Sequence, residues 1–132
     1  MNSLDEQLDK AIKEIDSLDE SGNVKFVLHY GSSVSGTMTD DSDIDLAIYY
    51  DCEDDSESSR YRFKVISNLF DDIYDIQIFQ QLPLYVRIET LKGVAVYCKD
   101  RIFLYDVAWQ TIKEFDRFKH RYYDYIGERC IV

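Results

Sequence analysis

Residues 24–50 read VKFVLHYGSSVSGTMTDDSDIDLAIYY, and this stretch decides the fold. An apolar run from Val24 to Tyr30 stops at Gly31-Ser32. Residues 33–42 follow, then Asp43-Ile44-Asp45, then a second apolar run from Leu46 to Tyr50. Two β-like segments therefore flank a small-residue turn and a pair of carboxylates. Asp43 and Asp45 stand two apart at the mouth of the second strand, and residues so spaced face the same side. Like charges held that close repel one another. A divalent cation relieves the repulsion, and hard oxygen ligands suit Mg²⁺ or Mn²⁺ rather than zinc. Gly31 allows the backbone to approach a ligand closely. The N–H groups of the turn that follows favour an anion such as phosphate. Carboxylates beside a phosphate cradle point to phosphoryl or nucleotidyl transfer.

Outward from this stretch the chain alternates helix and strand. On the N-terminal side, Leu4, Leu8, Ile12, Ile15 and Leu18 recur at steps of three and four, which predicts a packing helix over 3–20 that ends at Ser21-Gly22-Asn23. A short helix is expected to begin at Ser32 or Ser33. On the C-terminal side, residues 51–57 form an acidic segment, DCEDDSE. With nothing to fix the geometry of its acids, it reads as a solvated loop rather than a set of metal ligands. A helix is expected over Ser58 to Phe70, burying Phe63, Ile66, Phe70 and Ile73. The bases Arg60, Arg62 and Lys64 crowd its first turns, where the helix dipole disfavours them. A third strand, Tyr74 to Phe79, puts Ile76 and Ile78 on one face and Asp75, Gln77 and Phe79 on the other. An acid heading an otherwise apolar strand is costly unless exposed or paired. Pro83 opens a helix to Leu91, Gly93 ends it, and Val94 to Tyr97 is a fourth strand. Residues 102–126 read as one long helix or two, with Val107, Ile112, Phe115, Phe118, Tyr122 and Ile126 as the buried stripe. Tyr105, Trp109, Tyr123 and Tyr125 remain on other faces, and surplus aromatics are enriched at interfaces.

Gly31-Ser32, Gly36 and Ser42-Asp43-Ile44-Asp45 together resemble the signature of the nucleotidyltransferases of the DNA polymerase β superfamily. Taken singly, the first pair would be an ordinary turn and the aspartates solvated loop acids. It is their order that carries the resemblance, which spans Val24 to about Phe79. The short chain points to the minimal nucleotidyltransferases, often antitoxins paired with HEPN-domain toxins. The resemblance implies an α/β nucleotidyltransferase fold: a small mixed sheet backed by helices, with a C-terminal helix or helices, residues 1–132 forming one domain. It implies that Asp43 and Asp45 hold Mg²⁺, with Mn²⁺ as the alternative, and that Gly31 and Ser32 hold the phosphates of a nucleoside triphosphate. Asp75 matches the family's third acid, on an adjacent strand, and would complete the metal site and act as base. Asp71 and Asp72, at a helix end, are weaker candidates. The implied reaction is AMP transfer from ATP to a tyrosine of a cognate HEPN ribonuclease. The alternatives are an antitoxin that blocks its toxin by contact alone, and a small-molecule nucleotidyltransferase working with a separate subunit.

Composition limits the partners. The formal net charge is −11 and is lopsided: residues 1–59 carry 16 acids and 3 bases, residues 60–132 carry 10 acids and 12 bases. An acidic surface repels a phosphate backbone, so a nucleic-acid duplex is a poor ligand. Cys52, Cys98 and Cys130 are odd in number, lack metal-site spacing and read as reduced thiols, which suggests the cytoplasm. The acidic N-terminus does not resemble a signal peptide, and no apolar run approaches the ~20 residues of a membrane span.

Overall fold

The structure, a computed structural model, describes residues 3–31 and 43–130, with residues 123–130 as helix backbone only. The elements run α1 (Ser3–Leu18), β1 (Val24–Tyr30), β2 (Ile44–Tyr50), α2 (Asp55–Leu69), β3 (Tyr74–Ile78), a 3-10 turn (Phe79–Gln81), α3 (Leu84–Leu91), β4 (Val94–Cys98) and α4 (Arg101–Cys130). The short helix expected from Ser32 or Ser33 lies outside the described residues. The four strands form one mixed sheet in the order β3-β2-β1-β4. β1 pairs antiparallel with β2 and β4, while β2 and β3 run parallel. A parallel pair needs a crossover connection, and α2 supplies it.

Both faces of the sheet are covered, so its strands are apolar on both sides. On one face Val27, Ile44, Leu46, Ile48, Ile76 and Ile78 pack beneath α1 and α2, which contribute Ala11, Ile15, Tyr61, Val65 and Leu69. On the other, Phe26, Leu28, Ala47 and Phe79 pack beneath Leu82 and Leu91 around α3 and Phe103, Leu104 and Val107 of α4. The α1 stripe is as expected, with Ile15 buried and Leu4, Leu8, Ile12 and Leu18 packed against the core. At its end, Asp19 accepts hydrogen bonds from the main-chain N–H of Asn23 (2.8 Å) and Val24 (2.9 Å), tying the turn to the start of β1.

Two expected faces are right only in part: on the first, Ile73 packs against the core as expected. In α2 the buried residues are Ser58, Tyr61, Val65 and Leu69, while Phe63 is 71% and Phe70 89% exposed and Ile66 also faces out. The reason is Tyr61. Its ring stacks on Tyr50 (centroids 4.4 Å apart, planes at 17°), and its hydroxyl donates to the Ile15 carbonyl. A buried tyrosine with a satisfied hydroxyl thus outcompetes a phenylalanine for the core. The helix also begins earlier than expected. Asp54 of the acidic segment caps it by accepting from Ser56 N–H (3.0 Å). Asp55 and Glu57 occupy the first turn, where the helix dipole favours acids. The second such face is on α4, a single helix. Val107 and Phe115 of the expected stripe are half-buried, but Ile112, Phe118 and Tyr122 are exposed. At the middle of the helix Thr111 takes the buried place in preference to Ile112, and Phe118 and Tyr122 lie beyond the Phe103, Leu104 and Val107 stretch that packs on the core. Ile126 and Tyr125 fall among the residues whose side chains are not described.

Candidate active site

The described part of the candidate site lies at the mouth of three adjacent strands, on the sheet face shared with α3 and α4. In the antiparallel register Asp45 faces Tyr30, and in the parallel register it faces Asp75. Period-two alternation then fixes which side chains share the face: Tyr30 from β1, Asp45 from β2, Asp75 and Gln77 from β3. The apolar residues between them, Ile44, Leu46 and Ile76, point into the opposite core and hold the register. A slip of one residue would turn Asp75 away from Asp45.

Gly31 closes this arrangement from the backbone side. Its φ is +86°, a left-handed conformation that costs little only for glycine. A Cβ built there would overlap Asp45 Oδ2 and stand 3.3 Å from its Cγ. The glycine of the Gly-Ser turn therefore makes room for the Asp45 carboxylate itself, beyond the closeness to a ligand that the sequence suggested. Gly93 serves the same end one strand away. A Cβ there would lie 3.0 Å from Tyr30 Cα, so this turn packs directly against the end of β1.

The electrostatics are those of crowded acids. Burial pushes the Asp45 carboxyl up to about 6, the charges of Asp75 and then Asp43 add to the rise, and a hydrogen bond with Asp75 adds to it again. Burial, then the charges of Asp45 and Asp75, push the Tyr30 phenol up to about 12, so it keeps its proton. Gln77 Nε2 donates to Asp75 Oδ1 at 2.8 Å. Asp43 is exposed, just ahead of β2. Among the described residues, no three His, Cys, Asp or Glu side chains are already gathered as a metal cage.

The structure thus brings Gly31, Asp45 and Asp75 together and leaves Asp43 at the rim; Ser32 lies outside the described residues. Asp71 and Asp72 are exposed in the turn before β3, where Asp71 caps Ile73 N–H (3.1 Å). Arg62 donates to the Ile76 carbonyl at 2.6 Å and Arg60 to Ser56 at 3.4 Å. Both arginines stand on α2, which covers the face away from the acids, and the Arg62 bond ties that helix to β3. Tyr30 and Gln77 were not singled out from sequence. The signal for both was present in the strand alternation, which places them on the face of Asp45 and Asp75.

An all-oxygen donor set whose central acid is held against like charge fits a hard divalent cation such as Mg²⁺ or Mn²⁺. The fold is that of a nucleotidyltransferase class of protein. The profile of the polymerase β nucleotidyltransferase family matches residues 10–102, and the chain belongs to that family. Among curated protein sequences none is significantly similar. Solved structures share the fold at low identity. A chain of the MntA–HepT toxin–antitoxin complex superposes with a TM-score of 0.66 at 17% identity, covering 94% of this chain and 97% of that one. A chain of the complex between a tri-AMPylated Shewanella oneidensis HEPN toxin and an MNT antitoxin gives 0.66 at 17%, covering 94% and 96%. A chain of a toxin–antitoxin complex with AMP-PNP gives 0.65 at 20%, covering 89% and 97%.

Proposed function

We propose that this chain is a nucleotidyltransferase antitoxin, one catalytic domain over residues 1–132, acting in the cytoplasm. It transfers AMP from ATP to a tyrosine hydroxyl of a cognate HEPN ribonuclease toxin and so silences it. The observation that carries the reading is the Asp45–Asp75 pair at the strand ends with the Gly31 backbone packed on Asp45. The fold it shares with antitoxin chains solved beside HEPN toxins, one of them AMPylated, suggests the acceptor.

In this reading Asp43, Asp45 and Asp75 hold Mg²⁺, for which Mn²⁺ would substitute. The metal, when bound, neutralises charge on the triphosphate and on the leaving pyrophosphate. Gly31 and Ser32 seat the β- and γ-phosphates. Asp75 takes the proton of the acceptor tyrosine, whose oxygen bonds to the α-phosphorus while the bond from that phosphorus to the β-phosphate bridging oxygen breaks. The products are an AMP-tyrosine and pyrophosphate. Asp45, raised by its surroundings, is the acid most relieved by a cation.

The exposed aromatics of α4 favour a second reading, inhibition by contact alone. One experiment separates the two. Purified protein, cognate toxin, ATP and Mg²⁺ are mixed and the toxin is weighed by intact mass spectrometry. Transfer adds one or more AMP masses, and neutralisation survives removal of this chain. Asp43→Asn binds the toxin but adds no mass. If no mass is added, Asp43→Asn neutralises fully and activity returns once the complex is separated, contact inhibition is the mechanism.

A further inference from the structure

We propose that Gln77 is a positioning residue for Asp75, orienting its carboxylate for the divalent cation without touching the cation itself. Among the described residues β3 is an edge strand of the sheet, so Asp75 has a strand neighbour there on one side only. On that side stands Asp45, which repels it when both are ionised. An aspartate so placed has reason to rotate away from its partner. Gln77, two residues on and on the same face, counters this by donating Nε2–H to Asp75 Oδ1 at 2.8 Å. Its neighbour in the parallel register is Ala47, fully buried and small. This leaves room for the glutamine to fold back toward the strand end. A carboxylate has several acceptor positions, so the bond from Gln77 to Oδ1 still leaves acceptor positions for a ligand.

Glutamine suits this place chemically. A lysine or arginine would orient Asp75 as firmly but would set a positive charge beside the cation. A glutamate would add a further negative charge and lose the donor. The uncharged amide orients without altering the charge count of the site. Partners of this kind behind a metal ligand change affinity or activity by about 10- to 100-fold when removed.

The inference rests on the proposed metal site, and its test separates the two. Mn²⁺ is titrated into the full chain and the free-ion signal is followed by electron paramagnetic resonance. Gln77→Met keeps length and volume but removes the donor. It should raise the Mn²⁺ dissociation constant about tenfold while leaving the melting temperature in EDTA unchanged. The decisive comparison is a double-mutant cycle: in an Asp75→Asn background, Gln77→Met should change Mn²⁺ affinity less than about twofold. Equal losses in both backgrounds, or no loss in either, overturn the inference. Should Gln77→Met fail to fold, Gln77→Thr, which suits a strand, enters the same cycle with the same outcomes. A wild type that binds Mn²⁺ with the expected coupling yet adds no AMP to its toxin overturns the transferase reading and leaves Gln77 in its role. Transfer by wild type without coupling at Gln77 does the reverse. A chain that takes up no Mn²⁺ overturns both.

Discussion

Single residues carry the chemistry here because each side chain has a restricted choice of place. Gly31 is the clearest case. In Gly31→Ala the positive φ alone costs on the order of 1–2 kcal/mol, and the new methyl overlaps the Asp45 carboxylate. We expect urea denaturation to show that loss, and AMP transfer to disappear even in the fraction that stays folded, because Asp45 must move. Asp75 gives a second prediction. Asp75→Asn should lower transfer by at least ~100-fold if it serves as base and metal ligand. Asp71→Asn and Asp72→Asn, exposed in the turn, should stay within a few-fold of wild type in the same assay. Equal losses at all three would place the base elsewhere. The position of Asp75 was legible in the sequence because one acid stood out in an alternating strand. The closeness of Gly31 to Asp45 was not, since it depends on a φ angle and a register that no residue type states.

At the scale of elements, the strands declare themselves and the helix faces do not. Val24–Tyr30 and Ile44–Tyr50 lie where the apolar runs put them, because a strand covered on both faces reads as a continuous apolar run. α2 misleads because its outer face is the more hydrophobic in composition. Phe63, Ile66 and Phe70 look out, and Tyr61 takes the core through its stacking and its hydroxyl. Phe70 is also held at φ 52°, in left-handed conformation at the helix end, where glycine is the usual residue. Phe70→Gly should therefore stabilise the protein by about 1 kcal/mol. Its neighbour behaves oppositely, and Leu69→Ala should destabilise by about 2–5 kcal/mol. Chemical denaturation of the two variants checks both signs, and a destabilised Phe70→Gly would mean that the exposed ring is held by something in the folded chain. α4 misleads for a different reason. One stripe serves the core over Phe103, Leu104 and Val107 and then runs on into solvent at Phe118 and Tyr122, whose rings stack on each other 6.3 Å apart. Hydrophobic periodicity records that a stripe exists, and what packs against the helix decides which part of it is buried.

The whole molecule divides its charge unevenly. Asp43 and Asp45 fall in the half that carries 16 acids against 3 bases, and α4 falls in the half that is nearly balanced. An acidic field concentrates cations near the strand ends. Mg²⁺ with ATP should raise the melting temperature, since a ligand of the folded state stabilises it by mass action. The double variant Asp43→Asn, Asp45→Asn should lose that rise and, in EDTA, melt no lower than wild type, because its loss of repulsion offsets the lost carboxylates. Differential scanning fluorimetry at millimolar Mg·ATP reads both, and an unchanged wild-type midpoint would remove the metal site from the account. The parallel pairing of β2 with β3 also orders events in time. β1 can meet β2 across a short span of chain, but β3 reaches β2 only after α2 has crossed the sheet, and contacts between distant segments form late. During folding Asp45 is therefore expected to meet the Gly31 backbone before it meets Asp75. A chain still leaving the ribosome lacks the Asp45–Asp75 pair until the third strand has docked, so on the proposed mechanism transfer begins only once the chain is complete.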